Sequence, residues 1–367
     1  DCRNCTDCFM CSNLRNKQYC ILNEQYSREE YIEKMKEYDI GSFTKLENAK
    51  EMFKILKNNA IHRFATLVNT TNVTGDNLSN MANCTYCFDS STEVKDCKYL
   101  INAFGKLEES YDGYGVGIGA ELIYEAIDSA IGLSRSAFLA TVWGSQETYY
   151  CYSSYNLKNC FGCVGLRKKQ YCILNKQYTK DEYETLLPKV IAHMLEVPFI
   201  DKAGRVHGYG EYFPIELSPF AYNETVANDY FKKEKEEIEH NGWLYRAVNQ
   251  GNYSITKRAE DLVDHITDVP DSITAEVIEC KNCKKVFKIL PDELTNLRRF
   301  KIALPRHCFE CRHRERFLNV NFPRLYTRSC MCTLGMHGHD DSCQNTFETS
   351  FAPDRPEIVY CEKCYQQ

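Results

Sequence analysis

The sequence predicts a mixed α+β protein. We expect a cysteine-rich, β-solenoid-like repeat body with an inserted helical hairpin, followed by two small cysteine-rich C-terminal modules. Three observations lead to this prediction. One stretch of the chain occurs twice, short aromatic or apolar segments recur between its two copies, and Cys-x-x-Cys pairs are concentrated near the C-terminus.

The repeated stretch reads CFMCSNLRNKQYCILNEQY at residues 8–26 and CFGCVGLRKKQYCILNKQY at residues 160–178. A helix-start signal follows each copy, Ser27-Arg-Glu-Glu30 in the first and Thr179-Lys-Asp-Glu182 in the second. In such a capping box the hydroxyl and the carboxylate each accept a hydrogen bond from an otherwise unpaired backbone N–H. We therefore expect each copy to be an extended unit that leads into a helix.

Short apolar or aromatic segments recur between about Phe64 and Asn175, mostly 11–14 residues apart, with Asn, Asp, Ser or Gly between them. This spacing is typical of a β-solenoid, in which each coil covers the next, although a sandwich of short strands would show it too. Small buried cysteines, and asparagines that tolerate left-handed turns, favour the solenoid. The N-terminal cysteines recur every three residues, a period that matches neither a strand nor a helix.

Six units are predicted from these patterns and from shifts in composition. They are 1–26 (end of the repeat), 27–61 (helical hairpin insertion), 62–178 (repeat body), 179–273 (helix, extended arm and acidic connector), 274–323 (first C-terminal module) and 324–367 (second C-terminal module). Within the hairpin, a first helix is expected from Ser27 to about Tyr38, and Thr44-Lys-Leu-Glu47 offers a capping box for the second. The helix after Thr179 is expected to bend or restart at Pro188.

The ends of the chain suggest a piece of a longer or processed protein. The chain begins without Met and stops just after a Cys pair, so we expect the last module to be truncated.

The longest apolar runs of the chain fall short of the roughly 18–20 residues of a membrane helix, so no membrane association is expected.

The most specific motif is Cys280-Lys-Asn-Cys283, followed after 24 residues by Cys308-Phe-Glu-Cys311. Two such pairs can place four thiolates around one tetrahedral Zn²⁺. The first pair precedes a strand-like segment at 286–289, and the second opens a predicted helix that ends at Phe317. A knuckle pair combined with a helix-start pair is typical of a treble clef or zinc ribbon, and buried free thiols are the alternative.

A second set of cysteines follows, and its partners are less certain. Cys361 and Cys364 form a helix-start pair, and Cys343 precedes a strand-like segment as Cys283 does. Cys330 or Cys332 can supply the fourth ligand. His337 and His339 lie between them and can be ligands or solvated loop residues. We expect two zinc ions in all, with these ligands: Cys280, Cys283, Cys308, Cys311, Cys330, Cys343, Cys361 and Cys364.

Cysteine usage also indicates the compartment. The chain has 21 Cys, an odd number that cannot pair completely within one chain, and many occur at metal-binding spacing. Both features favour a reducing compartment, the cytoplasm. The run Cys2-x-x-Cys5-x-x-Cys8-x-x-Cys11 resembles an iron–sulfur motif, so an Fe–S or redox protein is a distant alternative. The later copy has Ser154 and Leu157 at two matching positions, which argues against a cluster.

Charge is distributed unevenly along the chain. The net charge is −6 and the pI about 5.9, yet residues 281–328 carry 13 Lys or Arg against 4 Asp or Glu, a local net of +9. Lys and Arg beside zinc modules suit phosphate neutralisation, so DNA or RNA binding is the first functional hypothesis. Its candidate residues are Arg298, Arg299, Lys301, Arg312, Arg314 and Arg316.

The alternative function is a protein-interaction scaffold, in which the repeat face binds a partner and zinc only stabilises the fold. The sequence contains no recognisable catalytic constellation, so we do not expect an enzyme or a small-molecule substrate.

Three strings carry a family resemblance: NCFGCVGLRKKQYCILNKQYTKDEY, FPIELSPFAYNETVA and FETSFAPDRPEIVYCEKCYQQ. Through them, most of the chain resembles cysteine-rich zinc-ribbon and treble-clef repeat proteins predicted from metagenomes of candidate-phylum bacteria. The resemblance implies zinc modules attached to a cysteine-rich repeat body and brings no activity with it. Relatives that carry more modules and repeats would agree with a truncated chain.

Overall fold

The computed structural model describes residues 2–247, 251, 253–335 and 338–367, and it is of mixed α+β type. The helices are α1 (Arg28–Tyr38), α2 (Phe43–Asn59), α3 (Lys180–Glu196), α4 (Val226–Tyr230), α5 (Lys235–His240), α6 (Pro291–Phe300), α7 (Phe309–Phe317) and α8 (Glu362–Tyr365). None of the helices in the described ranges is both long and apolar enough to cross a membrane.

Short strands make up most of the first half of the chain. They are β1 (Thr6–Phe9), β2 (Gln18–Ile21), β3 (Glu24–Gln25), β4 (Ile61–Arg63), β5 (Leu67–Lys95), β6 (Lys98–Ile101), β7 (Leu107–Glu108), β8 (Tyr111–Tyr114), β9 (Ala120–Ile127), β10 (Ser134–Trp143), β11 (Gln146–Tyr155), β12 (Lys158–Phe161), β13 (Gln170–Ile173) and β14 (Lys176–Gln177). The second half adds β15 (Phe199–Ile200), β16 (Val206–His207), β17 (Lys257–Arg258), β18 (Ile278–Glu279), β19 (Val286–Phe287), β20 (Tyr326–Ser329), β21 (Thr346–Thr349) and β22 (Ile358–Tyr360).

The largest sheet contains a closed parallel barrel. Strands β5, β6, β8, β9 and β7 pair in that order, and β7 pairs again with β5, so the five strands close on themselves. Strands β10 to β13 extend the sheet in parallel from β9, and β14 ends it with an antiparallel hairpin. The chain from Leu67 to Gln177 is therefore one continuous sheet, in which nearly all pairs are parallel.

The pairing offset is almost constant along this sheet. Thr85 pairs with Lys98, Lys98 with Tyr111 and Tyr111 with Tyr124, each 13 residues further on. After β10 the offset becomes 12, and Lys158 pairs with Gln170. Each pass of the chain therefore lies beside the previous pass, in parallel and in register, which explains the sequence spacing.

Within each pass the backbone has a period of three residues. From Asn77 to Asp89 in β5, every third residue adopts a positive φ: Asn77 (55°), Asn80 (52°), Asn83 (54°), Tyr86 (58°) and Asp89 (50°). The residue after each of them points inward and is buried: Leu78, Met81, Cys84, Cys87 and Ser90. A left-handed residue at every third position bends the chain inward, and among residues with a Cβ, Asn and Asp tolerate that conformation best. The three-residue Cys spacing of the sequence is thus the period of this backbone.

Inward serine and cysteine side chains join consecutive passes. The hydroxyl of Ser110 donates to the carbonyl of Glu108 at 2.9 Å and accepts from the backbone N–H of Ile123 at 3.2 Å. Ser90, Ser129, Ser136, Ser145, Ser154 and Cys151 make the same pair of contacts. These side chains therefore satisfy backbone N–H groups that would otherwise be buried without a partner.

The two copies of the repeated stretch adopt the same local structure. Strands β1, β2 and β3 form a separate sheet in which Cys8 pairs with Cys20, as Cys160 pairs with Cys172. A short antiparallel hairpin then follows in each copy. The capping boxes predicted at Ser27 and Thr179 are confirmed.

The structure corrects the start of helix α2 and excludes a restart of helix α3. Helix α2 begins one residue before Thr44, and the hydroxyl of Ser42 caps it by accepting from the backbone N–H of Lys45. Thr44 instead bonds to Asp264, far along the chain. Helix α3 is one continuous helix that includes Pro188 and does not restart there.

The C-terminal modules contact the helical hairpin at both ends of α2. At its start, the backbone N–H of Ala303 donates to the carbonyl of Ile40 at 3.0 Å, and Arg306 lies over the Phe43 ring at 4.7 Å. At its end, β4 pairs in parallel with β22, and the backbone N–H of Phe64 donates to the carbonyl of Tyr360 at 3.0 Å. The hairpin is thus held by one module at each end.

Candidate metal centres

Four cysteines of the first C-terminal module meet at one point. The sulfurs of Cys280, Cys283, Cys308 and Cys311 all lie within 4.8 Å of one another. The Sγ of Cys280 is 3.8 Å from that of Cys311, and the Sγ of Cys283 is 3.6 Å from that of Cys308. Three of the four side chains are buried, and Cys283 is exposed.

Local structure explains this convergence. Strands β18 and β19 form an antiparallel hairpin whose turn carries the first pair, and Lys284 closes the turn at a φ of 63°. The second pair opens α7, with Cys308 as the N-cap residue. The positive end of a helix favours thiolate over thiol. Burial acts in the opposite direction and raises the pKa of both Cys308 and Cys311.

Backbone N–H groups add to this effect at Cys280. Burial raises the pKa of this thiol, but hydrogen bonds from the backbone N–H groups of Cys283, Cys308 and Asn282 bring it down to about 6. The Cys308 N–H lies 3.2 Å from the Cys280 sulfur. A thiolate at this position is therefore accessible at neutral pH, as metal binding requires.

A second group of four cysteines has a related arrangement. The sulfurs of Cys330, Cys343, Cys361 and Cys364 lie within 4.8 Å of one another, and all four side chains are buried. Cys361 is the N-cap residue of α8, and its backbone N–H donates to the Cys330 sulfur at 3.2 Å. Cys330 and Cys361 thus repeat the contact between Cys280 and Cys308.

The thiol of Cys361 is also prepared for a cation. Burial raises its pKa, but hydrogen bonds from the Asn345 side chain and from the backbone of Cys364 bring it down to about 7. The Nδ2 of Asn345 lies 3.5 Å from the sulfur, and Asn282 contacts Cys311 at the same distance in the first module. The sequence analysis missed both asparagines, although Cys-x-Asn occurs in each module.

The ligand set left open at the sequence level separates into two groups. Cys330, and not Cys332, completes the group of four, whereas Cys332 and His339 form a further group of three with Cys364. The Nε2 of His339 lies 3.6 Å from the Cys364 sulfur. His337 lies outside the described residues.

Both four-cysteine groups fit a tetrahedral metal ion. A Zn–S bond of about 2.3 Å places the sulfurs of a tetrahedral site about 3.8 Å apart. The contacts between sulfurs, 3.6 and 3.8 Å in the first group and 3.9 Å between Cys343 and Cys361 in the second, match that spacing. Both groups can therefore hold a metal ion.

The N-terminal cysteine run does not gather in the same way. In the part of the chain that the structure describes, Cys2, Cys5, Cys8 and Cys11 do not come together as a group with metal-ligand spacing. Each of their sulfurs lies against a backbone carbonyl, as in the bonds from Cys5 to Arg3 and from Cys11 to Phe9.

The basic residues beside the first metal group fall into two classes. Arg298 bonds to Asp271 at 2.6 Å and to the carbonyl of Val269 at 2.7 Å, and Arg312 bonds to Glu293 at 2.9 Å. The remaining candidates are exposed, and within the described ranges no ion pair involves them: Arg299, Lys301, Arg314 and Arg316.

Comparison with known proteins gives no match for this chain among family models, curated proteins or solved structures. The resemblance drawn from the sequence therefore stays a prediction.

Proposed function

We propose that this is a zinc-binding protein in which two four-cysteine sites hold the fold together. The observation that carries the proposal is the convergence of two sets of four sulfurs at distances suited to Zn²⁺. A site with four cysteine ligands has no open position for water or substrate, which is typical of structural zinc.

The position of the sites supports a structural role. The first module contacts the start of α2, and the second contacts the strand that follows its end. Arg63 of β4 also bonds to Glu362 at 2.5 and 2.9 Å, in the helix that carries Cys364. Since each module is too small to bury a large core, zinc would supply much of the energy that keeps these contacts in place.

The finer fold is part of this proposal. We take the parallel passes of 12 or 13 residues to be coils of a β-solenoid, in which a 12-residue coil consists of four three-residue steps. The hairpin β18–β19 followed by α6 and α7 suits a treble clef, and β20–β21 followed by α8 suits a shorter relative of it. A stacked body of this kind offers a long face to a protein partner.

A reducing compartment such as the cytoplasm belongs to the same proposal. All 21 cysteines are free thiols, and those in the repeat body make hydrogen bonds as serine would. The metal groups need thiolates that are not consumed in disulfides.

Metal analysis tests the proposal directly. We expect the purified full-length chain to retain zinc at Cys280, Cys283, Cys308 and Cys311 and at Cys330, Cys343, Cys361 and Cys364. Replacing Cys311 by Ser should remove about one ion per chain, whereas Cys97→Ser, in the repeat body, should remove none. A folded chain without zinc would refute the proposal, and iron would favour the iron–sulfur alternative.

Nucleic-acid binding is the second candidate, and the four exposed basic residues favour it. Arg299, Arg314 and Arg316 have guanidinium groups without an ion-pair partner among the described residues. Arginine suits paired contacts with phosphate. Arg298 pairs with Asp271 and Arg312 pairs with Glu293, so fewer arginines are available to phosphate. We therefore place the structural role first.

A salt titration against single-stranded and duplex oligonucleotides separates the two roles. If phosphate contacts dominate, the logarithm of the binding constant should fall steeply with the logarithm of the salt concentration. Changing Arg299, Arg314 and Arg316 to Ala should reduce the slope of that plot by about three. The control is a triple variant in which three exposed cations elsewhere in the chain are changed to Ala: Arg28, Lys189 and Lys202. It should leave the slope unchanged. No binding at low salt would leave the scaffold role.

A further inference from the structure

The second module gathers more metal-binding side chains than one ion can use. A structural zinc site takes four ligands in tetrahedral geometry. Six candidate ligands meet here: Cys330, Cys332, His339, Cys343, Cys361 and Cys364. They fall into a group of four and a group of three, and Cys364 belongs to both.

The group of three has metal-ligand geometry of its own. The ligand atoms of Cys332, His339 and Cys364 all lie within 4.8 Å of one another. Two thiolates and an imidazole are a donor set that suits Zn²⁺. A thiolate sulfur that binds one metal ion keeps lone pairs, so Cys364 can bridge to a second ion.

Cys332 is fixed beside the group of four. Its side chain is 0% exposed and that of Cys364 is 2% exposed, so the two thiols lie inside the module. The carbonyl of Cys332 accepts a hydrogen bond from the backbone N–H of Cys343 at 3.0 Å. This bond links Cys332 directly to a member of the group of four. A buried thiol that already lies next to a metal site costs little further ordering when it binds.

We propose that the second module binds two metal ions, with Cys364 as the bridging ligand. One ion is held by the four cysteines described above, and the second by Cys332, His339 and Cys364. This inference rests on the proposed zinc site, because Cys364 is shared. Three protein ligands leave the second ion one position for solvent, unlike a four-cysteine site.

Metal stoichiometry of the full-length chain tests the inference. We expect about three zinc ions per chain, one in the first module and two in the second. Cys332→Ser and His339→Ala should each lower the content to about two, and the double variant should also retain about two because both changes remove the same ion. His193→Ala, a change at an exposed histidine of α3, should retain about three.

A second measurement identifies the bridge. Cys364→Ser should remove about two ions at once, whereas Cys311→Ser removes about one. If Cys364→Ser prevents folding, the Cys332 and His339 variants decide the question alone. About two ions in the unaltered chain, or a third ion that survives both of those variants, would overturn the inference. Fewer than two in a folded, unaltered chain would refute the proposed function itself.

Discussion

The carboxylate of Asp264 accepts a hydrogen bond from the backbone N–H of Thr44 at 2.9 Å, although 220 residues separate the two in the chain. The hydroxyls of Ser42 and Thr44 also donate to this carboxylate. Helix α2 is therefore capped both by its own Ser42 and by a residue from the segment that leads into the first metal module. Capping and docking of the hairpin depend on the same carboxylate.

We predict that Asp264→Ala destabilises this end of the hairpin by about 1 kcal/mol, the usual cost of losing a cap. Hydrogen exchange should show faster exchange at the Thr44 amide. Asp261→Ala removes an exposed carboxylate three residues earlier and serves as the control, with no change at Thr44. Equal exchange in both variants would mean that Asp264 does not hold the helix.

This cap should also depend on pH. Hydrogen bonds from the Ser42 hydroxyl and from Thr44 lower the pKa of Asp264. A carboxyl group whose pKa is lower in the folded state stabilises it above the unfolded-state value, about 3.9, and loses that effect as the pH falls through the folded value. Thr44 exchange, corrected for intrinsic rates, should therefore stay slow at neutral pH and accelerate in acid, and Asp264→Asn should remove this dependence.

Glu357 is a buried carboxylate that joins the second module to helix α2. Its side chain is 2% exposed and lies 2.7 Å from Arg355 and 3.5 Å from Lys57. Burial alone would raise the pKa of Glu357, but hydrogen bonds from Arg355 and the charges of Arg355 and Lys57 hold it at about 2. Its contribution to stability is present above the unfolded-state value of about 4.3 and is lost as the pH falls toward 2.

We predict that Glu357→Gln destabilises the second module by about 2 kcal/mol at neutral pH, because it leaves the partly buried Arg355 without its counter-charge. Glu348→Gln, at an exposed position on β21, should change stability by less than about 0.5 kcal/mol. Denaturant unfolding monitored by exchange at the Phe64 amide reports both values. A similar effect of the two changes would show that the Arg355 pair is not needed.

Removal of metal should loosen the hairpin and spare the repeat body. With a strong chelator, we expect faster exchange at the Phe64 amide, which bonds to Tyr360, and at the Cys280 amide in the turn of the first module. Amides of β10 and β11 should keep their protection, because inward side chains and parallel pairing hold them without metal. Adding zinc back should restore both sites, and unchanged exchange at Phe64 would show that docking does not need metal.

The Cys-x-x-Cys pairs could be recognised in the sequence because their spacing is local. Each Cys-x-x-Cys pair occupies one turn or one helix start, and the resulting groups contain the expected cysteines. The choice between Cys330 and Cys332 was not predictable, because both lie just after one strand and only tertiary packing separates their sulfurs. Likewise, the capping role of Ser42 over Thr44 depends on Asp264, which is distant in sequence.

The three-residue period of the repeat body was visible in the sequence, whereas the backbone conformation that causes it was not. The three-residue spacing of Cys2, Cys5, Cys8 and Cys11 fits neither regular strands nor helices, and only the left-handed residues between them, Asn4, Asp7 and Met10, account for it. The ion pairs of Arg298 and Arg312 could not be predicted from the sequence. Composition indicated a basic surface, but their acidic partners are contributed by other segments.

Inward thiols and hydroxyls of the repeat body should be interchangeable. The Cys151 sulfur lies 3.4 Å from the Tyr149 carbonyl and 3.4 Å from the Cys163 backbone nitrogen, which donates to it. One step further along the chain, Ser154 makes the same two contacts, with the Tyr152 carbonyl at 3.0 Å and the Leu166 N–H at 3.2 Å. Both side chains are 0% exposed.

We therefore predict that Cys151→Ser and Ser154→Cys each cost less than about 1 kcal/mol, because the new side chain keeps both hydrogen bonds. Cys151→Ala and Ser154→Ala should each cost about 2 kcal/mol, because a buried N–H loses its acceptor. Exchange at the Cys163 and Leu166 amides measures the two sites separately, and each alanine variant should accelerate only its own amide. If Cys151→Ser were as damaging as Cys151→Ala, the cysteines of the body would be held there by packing or by reactivity, and not by this bond to the neighbouring pass.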